Sequence, residues 1–372
     1  MRKPPFELED PVATPPPTLE PGSTPAHGLG AVLLAAVKAS GSRRILVITH
    51  RSPDPDALGA MVGCRMLIEA GYGLEATLAT SGRIFRAENL AMVRELSLRF
   101  GSTENLDPAE FAGCVLVDSQ PGFGHTEVPD GVPLLGVLDH HVPPGEGEAL
   151  AGVPHADVRQ GLGATSSLLW EYLRDLGADV DDETATALLC GVRFDTTDLA
   201  QSVTPLDEEA YFECLRRADR ERLRRIARPY LPEVYYRELH RSLRMAKRYG
   251  SAVVALLGPV ANPESVAEMA DFFQRMEAVE WAFVGGEYGG QYYVSLRTKL
   301  GTTDAYRVMQ QLLGDEGSFG GRGCVAGGRV DLDDSDEYDV RKLERRLRRR
   351  VLEVVDPNEE LDEEARLGSL LT

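Results

Sequence analysis

RILVITHRSPDPDALGA, residues 44–60, sets a short apolar run directly against a polar turn and the start of a helix. The run over 44–49 has the length and β-branched content of a buried strand, and a helical pattern follows over 56–71. In open α/β sheets ligands bind just outside the carboxyl end of a strand, which is where His50, Asp54 and Asp56 fall. One histidine and two carboxylates within seven residues suit a hard-to-borderline divalent cation. The same residues have plainer roles open to them: Asp54 or Asp56 as a helix N-cap, and His50 as a hydrogen-bonded residue at a strand end.

Outward from this segment the chain keeps alternating. A strand is expected near 75–79, further strands end at Val117 and Leu138, and helices run near 164–177 and 183–193. That alternation predicts an α/β fold, with a mainly parallel sheet covered by helices on both faces, over residues 28–215. Residues 216–248 hold twelve Arg or Lys against four acids in a helical pattern broken by Pro-Tyr-Leu-Pro at 229–232, and read as a basic linker helix. A second, smaller α/β domain follows over 249–355, with strands near 252–257, 281–286 and 291–297, helices near 263–276 and 303–313, and a Gly-rich turn over 317–328. Residues 1–27, with eight prolines, read as a disordered tail, and 356–372 as an acidic one.

The 372 residues carry a formal charge of -19, which opposes a long polyanion across most of the surface. Five widely spaced cysteines suggest reduced thiols in a cytoplasmic protein rather than a disulfide framework. No apolar run is long enough for a membrane span, and the N-terminus lacks the pattern of a signal peptide.

The His and Asp pattern recurs at other strand ends. VLVDS places Asp118 after an apolar run, and GVLDHH does the same for Asp139, His140 and His141. Asp195 follows a helix in GVRFDTT. Two adjacent histidines after an aspartate are hard to explain by packing, because successive residues face opposite ways and each needs a polar partner. A shared metal site accounts for all four clusters together.

These segments resemble the four motifs of the DHH phosphoesterase family in order and approximate spacing. RPYLPEVYYREL (228–239), VSLRT (294–298) and GGRGCVAGG (320–328) are similar to the DHH-associated C-terminal domain. Among DHH proteins, the likeness runs to the branch of short oligoribonucleases, phosphoadenosine-phosphate phosphatases and cyclic-dinucleotide phosphodiesterases. The resemblance implies two ions, usually Mn2+, with Mg2+ or Co2+ compatible with the ligand chemistry. One would be held by His50, Asp54 and Asp118, the other by Asp56, Asp118, His140 and Asp195, with Asp118 bridging. Two such ions activate a water and stabilise the oxygens of an in-line displacement at phosphorus. It further implies Asp139 orienting a histidine and His141 donating to the scissile phosphate as the catalytic pair. Arg297 and the glycines 320, 321 and 323 (Gly320, Gly321, Gly323) would grip substrate phosphate, with Arg322 standing where the family carries a histidine.

The expected activity is metal-dependent hydrolysis of short oligoribonucleotides, phosphoadenosine phosphate or a linear or cyclic dinucleotide. The alternatives are a nucleotide-binding sensor with weak turnover, motivated by Arg322, and an inorganic pyrophosphatase. A long duplex and a membrane are not expected as partners, and a homodimer is expected by analogy alone. His125 and His155 read as surface histidines in loops, Asp198 as solvent-facing, and Trp170 and Trp281 as core.

Overall fold

A computed structural model describes residues 24–143, 148–299, 304–332, 337–355 and 368–369. The chain divides into two compact units, Met1–Ile84 with Glu88–Pro229, and Phe85–Ala87 with Tyr230–Thr372. In chain order the first part runs α1 (Pro25–Ser40), β1 (Arg44–Ile48), α2 (Pro55–Met66), a π turn at Leu67–Gly71, β2 (Glu75–Thr80), α3 (Ala87–Glu95), β3 (Gly101–Ser102), β4 (Gly113–Val117), β5 (Leu134–Asp139) and β6 (His155–Val158). Four helices follow: α4 (Thr165–Asp175), α5 (Asp182–Asp195), α6 (Pro205–Arg217) and α7 (Arg220–Ala227).

The six strands pair in the order β3-β2-β1-β4-β5-β6, and every pair is parallel. Strand β1 shows why its sequence is apolar throughout. Ile45 and Val47 enter one buried cluster while Leu46 and Ile48 enter another, so the twofold alternation of side chains feeds two cores. Each such fully buried side chain contributes about 1.5–3 kcal/mol. The winding direction reverses between neighbouring β1 and β4, which opens a crevice at their carboxyl ends. Register completes the arrangement: Ile48 pairs with Leu116 and Val117 with Leu138, so the residues that follow β1, β4 and β5 emerge side by side.

The second unit contains α8 (Glu233–Met245), β7 (Lys247–Tyr249), β8 (Ala252–Pro259), α9 (Glu264–Gln274), β9 (Trp281–Tyr288), β10 (Gln291–Thr298), α10 (Ala305–Leu313), β11 (Ser318–Arg322), β12 (Val325–Asp331), α11 (Glu337–Val355) and β13 (Gly368–Ser369). Its sheet runs β11-β12-β10-β9-β8-β7-β13 and is mixed, with β8/β9 parallel and the other described pairs antiparallel. Helix α9 packs on one face, and α10 and α11 on the other.

Several expectations need correcting. Helix α1 begins at Pro25, a residue that serves well in a first helical turn, so the end of the 1–27 segment is helical; residues 1–23 lie outside the described residues. The acidic 356–372 segment also lies outside them except at Gly368–Ser369. The basic 216–248 stretch is not one helix. It spans the end of α6, all of α7 and α8, and the start of β7, because Pro229 and Pro232 cannot continue a helix. The Gly-rich 317–328 segment is a β-hairpin rather than a turn, with Gly323 supplying the positive φ of 57° at its tip.

Candidate metal centre

His50 leaves the end of β1, Asp118 the end of β4, and Asp139, His140 and His141 the end of β5. Asp54 caps α2: its Oδ1 accepts from the backbone N–H of Asp56 and of Ala57, both at 3.0 Å. The cap and the cation readings hold together, since the Asp54 carboxylate also lies with His50 and Asp118. Asp118 adopts φ 54°, a left-handed conformation that aspartate tolerates better than most side chains. Asp195 arrives from elsewhere in the chain, as the last residue of α5.

Ligand atoms within 4.8 Å of one another form the sets His50, Asp54, Asp118 and Asp56, His140, Asp195. Asp118 stands between them: Oδ2 lies 3.7 Å from His50 Nε2 and Oδ1 3.7 Å from His140 Nε2. Asp118, His140 and His141 form a third combination, but His141 Nδ1 is bonded to Asp139 Oδ1 at 2.8 Å.

The tautomers of the two candidate ligand histidines follow from what their other nitrogens meet. His50 Nδ1 lies 2.9 Å from the Arg51 carbonyl and His140 Nδ1 3.0 Å from the Leu162 carbonyl. A carbonyl only accepts, so each Nδ1 carries a hydrogen and each neutral ring offers a lone pair at Nε2. His140 Nε2 is buried without a hydrogen bond, although Asp195 Oδ2 lies 3.1 Å away. Nε2 thus sits buried among carboxylates, where a neutral ring would offer its lone pair to a cation.

Electrostatics say the same. Burial, then the neighbouring Asp56 and Asp54, raise Asp118 well above the usual carboxylate range, and burial raises Asp56. Burial pushes Asp195 up to about 7, with Asp56 and Asp54 adding to it. Burial opposes a charge on His140, yet Asp195, Asp118 and Asp56 outweigh it and push the ring up to about 11. Without a cation the cluster holds protons; a divalent cation replaces them. The donor set of imidazole and carboxylate fits such an ion.

Asp139 is fully buried and does not join either set. Burial works against its charge, but the bonds from His141 and from Gln120 Nε2 (2.6 Å) hold its carboxyl below the usual range. Gln120 Nε2 also donates to the His141 carbonyl at 2.9 Å, tying the end of β4 to the end of β5.

Sequence reasoning missed Gln120 and the start of α4, where Thr165 and Ser166 donate to Asp56 and Asp118. A signal was present: three consecutive hydroxyl residues, Thr165, Ser166 and Ser167, open a helix in which all three are buried. His125 is exposed in a loop, as expected, and joins none of these ligand sets. Although exposed as a residue, its ring stacks on Phe123 at 5.6 Å and meets His50 edge-on at 5.3 Å. Lost hydration, then His50 and His141, push it down to about 4. His155 is no surface residue: it is 5 % exposed, and its Nε2 lies 2.8 Å from the Tyr172 hydroxyl. Asp198 is exposed as expected and pairs with Arg193.

In the second unit Arg297 is neither a free fork nor a surface pair. It is 7 % exposed, with Nε donating to Asp271 Oδ1 at 2.5 Å and Nη1 to Ser295 Oγ at 2.7 Å. Gly320 and Gly321 lie in β11, and Arg322 ends that strand; its side chain lies outside the described residues. Four of the cysteines are buried, and burial pushes Cys64, Cys114, Cys190 and Cys214 up to about 12, which leaves their thiols unreactive. Among the described residues no helix is long and apolar enough to cross a membrane.

Comparison with known proteins finds a matching domain and several similar proteins. Residues 250–348 match the DHHA1 domain. The uncharacterized protein MJ1633 of Methanocaldococcus jannaschii is 28% identical over 324 residues, covering 85% of this chain. The chain spans 65% of that relative's length. An exopolyphosphatase-related protein from Bacteroides fragilis superposes with a TM-score of 0.62 at 16% identity, over 87% of this chain and 97% of the other, and so shares the fold. A manganese-bound exonuclease RecJ aligns at a TM-score of 0.48 with 15% identity, over 95% of this chain and 99% of the other. The matched domain lies within the second unit, and the likeness to the Bacteroides fragilis protein shows a shared fold.

Proposed function

We propose, with a DHH-type metal hydrolase as the premise, that this protein hydrolyses short nucleotides: oligoribonucleotides of a few residues, phosphoadenosine phosphate, or linear and cyclic dinucleotides. The observation that carries the reading is the convergence of His50, Asp54, Asp56, Asp118, His140 and Asp195 from four separate chain segments into two candidate ligand sets, with Asp118 of the first 3.7 Å from His140 of the second. Two Mn2+ ions are the proposed occupants; bound there, they would supply an activated water and charge stabilisation at phosphorus.

The remaining steps belong to the chain's own groups. Asp139 fixes the His141 ring through Nδ1, leaving Nε2 to hydrogen-bond a phosphate oxygen, and the His141 side chain is 39% exposed. Phe123 and His125 put an aromatic pair beside His50, a surface on which a nucleobase stacks and an inorganic phosphate chain gains nothing. Arg322 and the hairpin tip at Gly323 are proposed to meet substrate phosphate. Arg297, already bonded to Asp271 and Ser295, is proposed to support the placement of β10, on which the hairpin strand β12 pairs.

The test is a substrate panel with Mn2+: phosphoadenosine phosphate, linear and cyclic diadenylate, a five-residue RNA, pyrophosphate and inorganic polyphosphate. Nucleoside monophosphate release from at least one nucleotide is expected. Turnover of pyrophosphate alone would shift the assignment to a pyrophosphatase, and no turnover with Mn2+, Co2+ or Mg2+ would overturn it. Comparing Arg322→His with the parent protein tests the sensor alternative, which requires a large gain in rate.

A further inference from the structure

Thr165 opens α4 and touches both ligand sets at once. Its backbone N–H donates to Asp56 Oδ2 at 2.7 Å, and its hydroxyl donates to Asp118 Oδ1 at 2.8 Å. The next residue adds a third bond, from Ser166 N–H to Asp56 Oδ1 at 2.9 Å. Thr165 and Ser166 are fully buried, so these bonds do not exchange with water. The turn before them is itself held, because Gly163 N–H donates to the buried Asp207 at 2.9 Å. No side chain fits in that turn at Gly163, where a Cβ would come within 2.5 Å of the Ser202 carbonyl and 2.9 Å of Asp207 Cγ.

The hydroxyl bond selects an oxygen. Asp118 shows Oδ1 to His140 and Oδ2 to His50, each at 3.7 Å. A carboxylate shared by the two sets would turn one oxygen to each, and a donor on the oxygen facing His140 fixes that oxygen's position. Thr165 bonds Oδ1 alone. We propose that Thr165 is the positioning residue that locks the His140-facing oxygen of Asp118 in place, so that the Asp56–His140–Asp195 set gains its fourth ligand atom. This rests on the reading of Asp118 as a shared ligand given above. A donor to a ligand carboxylate typically changes metal affinity about 10–100-fold when removed.

The proposal predicts an asymmetric loss, which general loosening of the helix would not produce. Thr165→Val removes the hydroxyl while keeping the backbone bond to Asp56. Titrated calorimetrically with Mn2+ alone, wild type should bind two ions. Thr165→Val should weaken one binding event about 10–100-fold and leave the other unchanged, and Thr165→Ser should restore it. In a His50→Ala background, which keeps only the His140-side set, the valine effect should persist; in a His140→Ala background it should vanish. Thr165→Ala carries the same expectation if the valine protein does not fold. Equal weakening of both events, no weakening, or failure of serine to restore binding would overturn the proposal. Wild type that binds no Mn2+ would instead sink the metal-site reading beneath it.

Discussion

Metal stabilisation of this protein should rise steeply between pH 5 and pH 7. Asp195 is pushed up to about 7, chiefly by burial, so below that pH a cation must displace its proton. One displaced proton weakens binding about tenfold per pH unit, so about 100-fold over two units, which is about 2.7 kcal/mol. Asp118, raised well above its ordinary value, adds in the same direction. Metal-free protein has the opposite slope. A carboxyl raised above its unfolded value stabilises the fold while protonated, and Asp195 loses that contribution as pH climbs from 3.8 through about 7. His140, raised from 6.5 to about 11, likewise loses its share as pH rises toward 11. The assay is thermal unfolding of the full chain in Mn2+ and in EDTA at fixed free metal across this range. At about 2–4 °C per kcal/mol for a unit of this size, the Mn2+ increment should grow by about 5–11 °C from pH 5 to pH 7. An Asp118→Asn protein should show almost none of it. An increment that is flat with pH, or larger in acid, would refute the assignment of these groups as cation ligands.

Three further outcomes follow from contacts around the centre. Asp139→Asn should lower kcat about 10²–10⁴-fold while leaving Mn2+ affinity near wild type, because it disturbs the His141 ring and not a ligand; a rate loss fully explained by weaker metal binding would count against that role. Gly191→Ala should weaken Mn2+ binding and destabilise the fold by about 1–3 kcal/mol, since the new Cβ would lie 2.6 Å from Asp56 Oδ1 and 2.1 Å from Ser166 Oγ; denaturant unfolding and metal titration measure the two effects. Tyr172→Phe should cost about 1–3 kcal/mol by stranding the buried His155, with metal binding untouched, and unfolding curves at pH 8 check it.

Much of the candidate site was legible because its residues sit at the boundary between two sequence patterns. The apolar run before Asp118 and the one before Asp139 are strands, and polar groups at their ends have no packing purpose. The second unit was less legible. A Gly-rich stretch permits both a turn and a strand, and Gly320 and Gly321 became strand residues only because β12 lies alongside to pair with them. His155 looked like a loop residue for the same reason: β6 is four residues long and becomes a strand by pairing with β5.

The sequence by itself determined the chemistry on offer: which acids and histidines exist, that they follow strands, and that a divalent cation suits them. Tertiary structure decided which oxygen faces which histidine, that Thr165 and Gln120 hold those groups in place, and that Arg297 is already bonded to Asp271. Local pattern encodes which face of a strand or helix is buried. Asp118 meets Thr165 across 47 positions of chain and Asp56 meets it across 109, and such distances are set only when separate elements pack. Orientation of a carboxylate is a property of that packing, so it has no signature in any single stretch of residues.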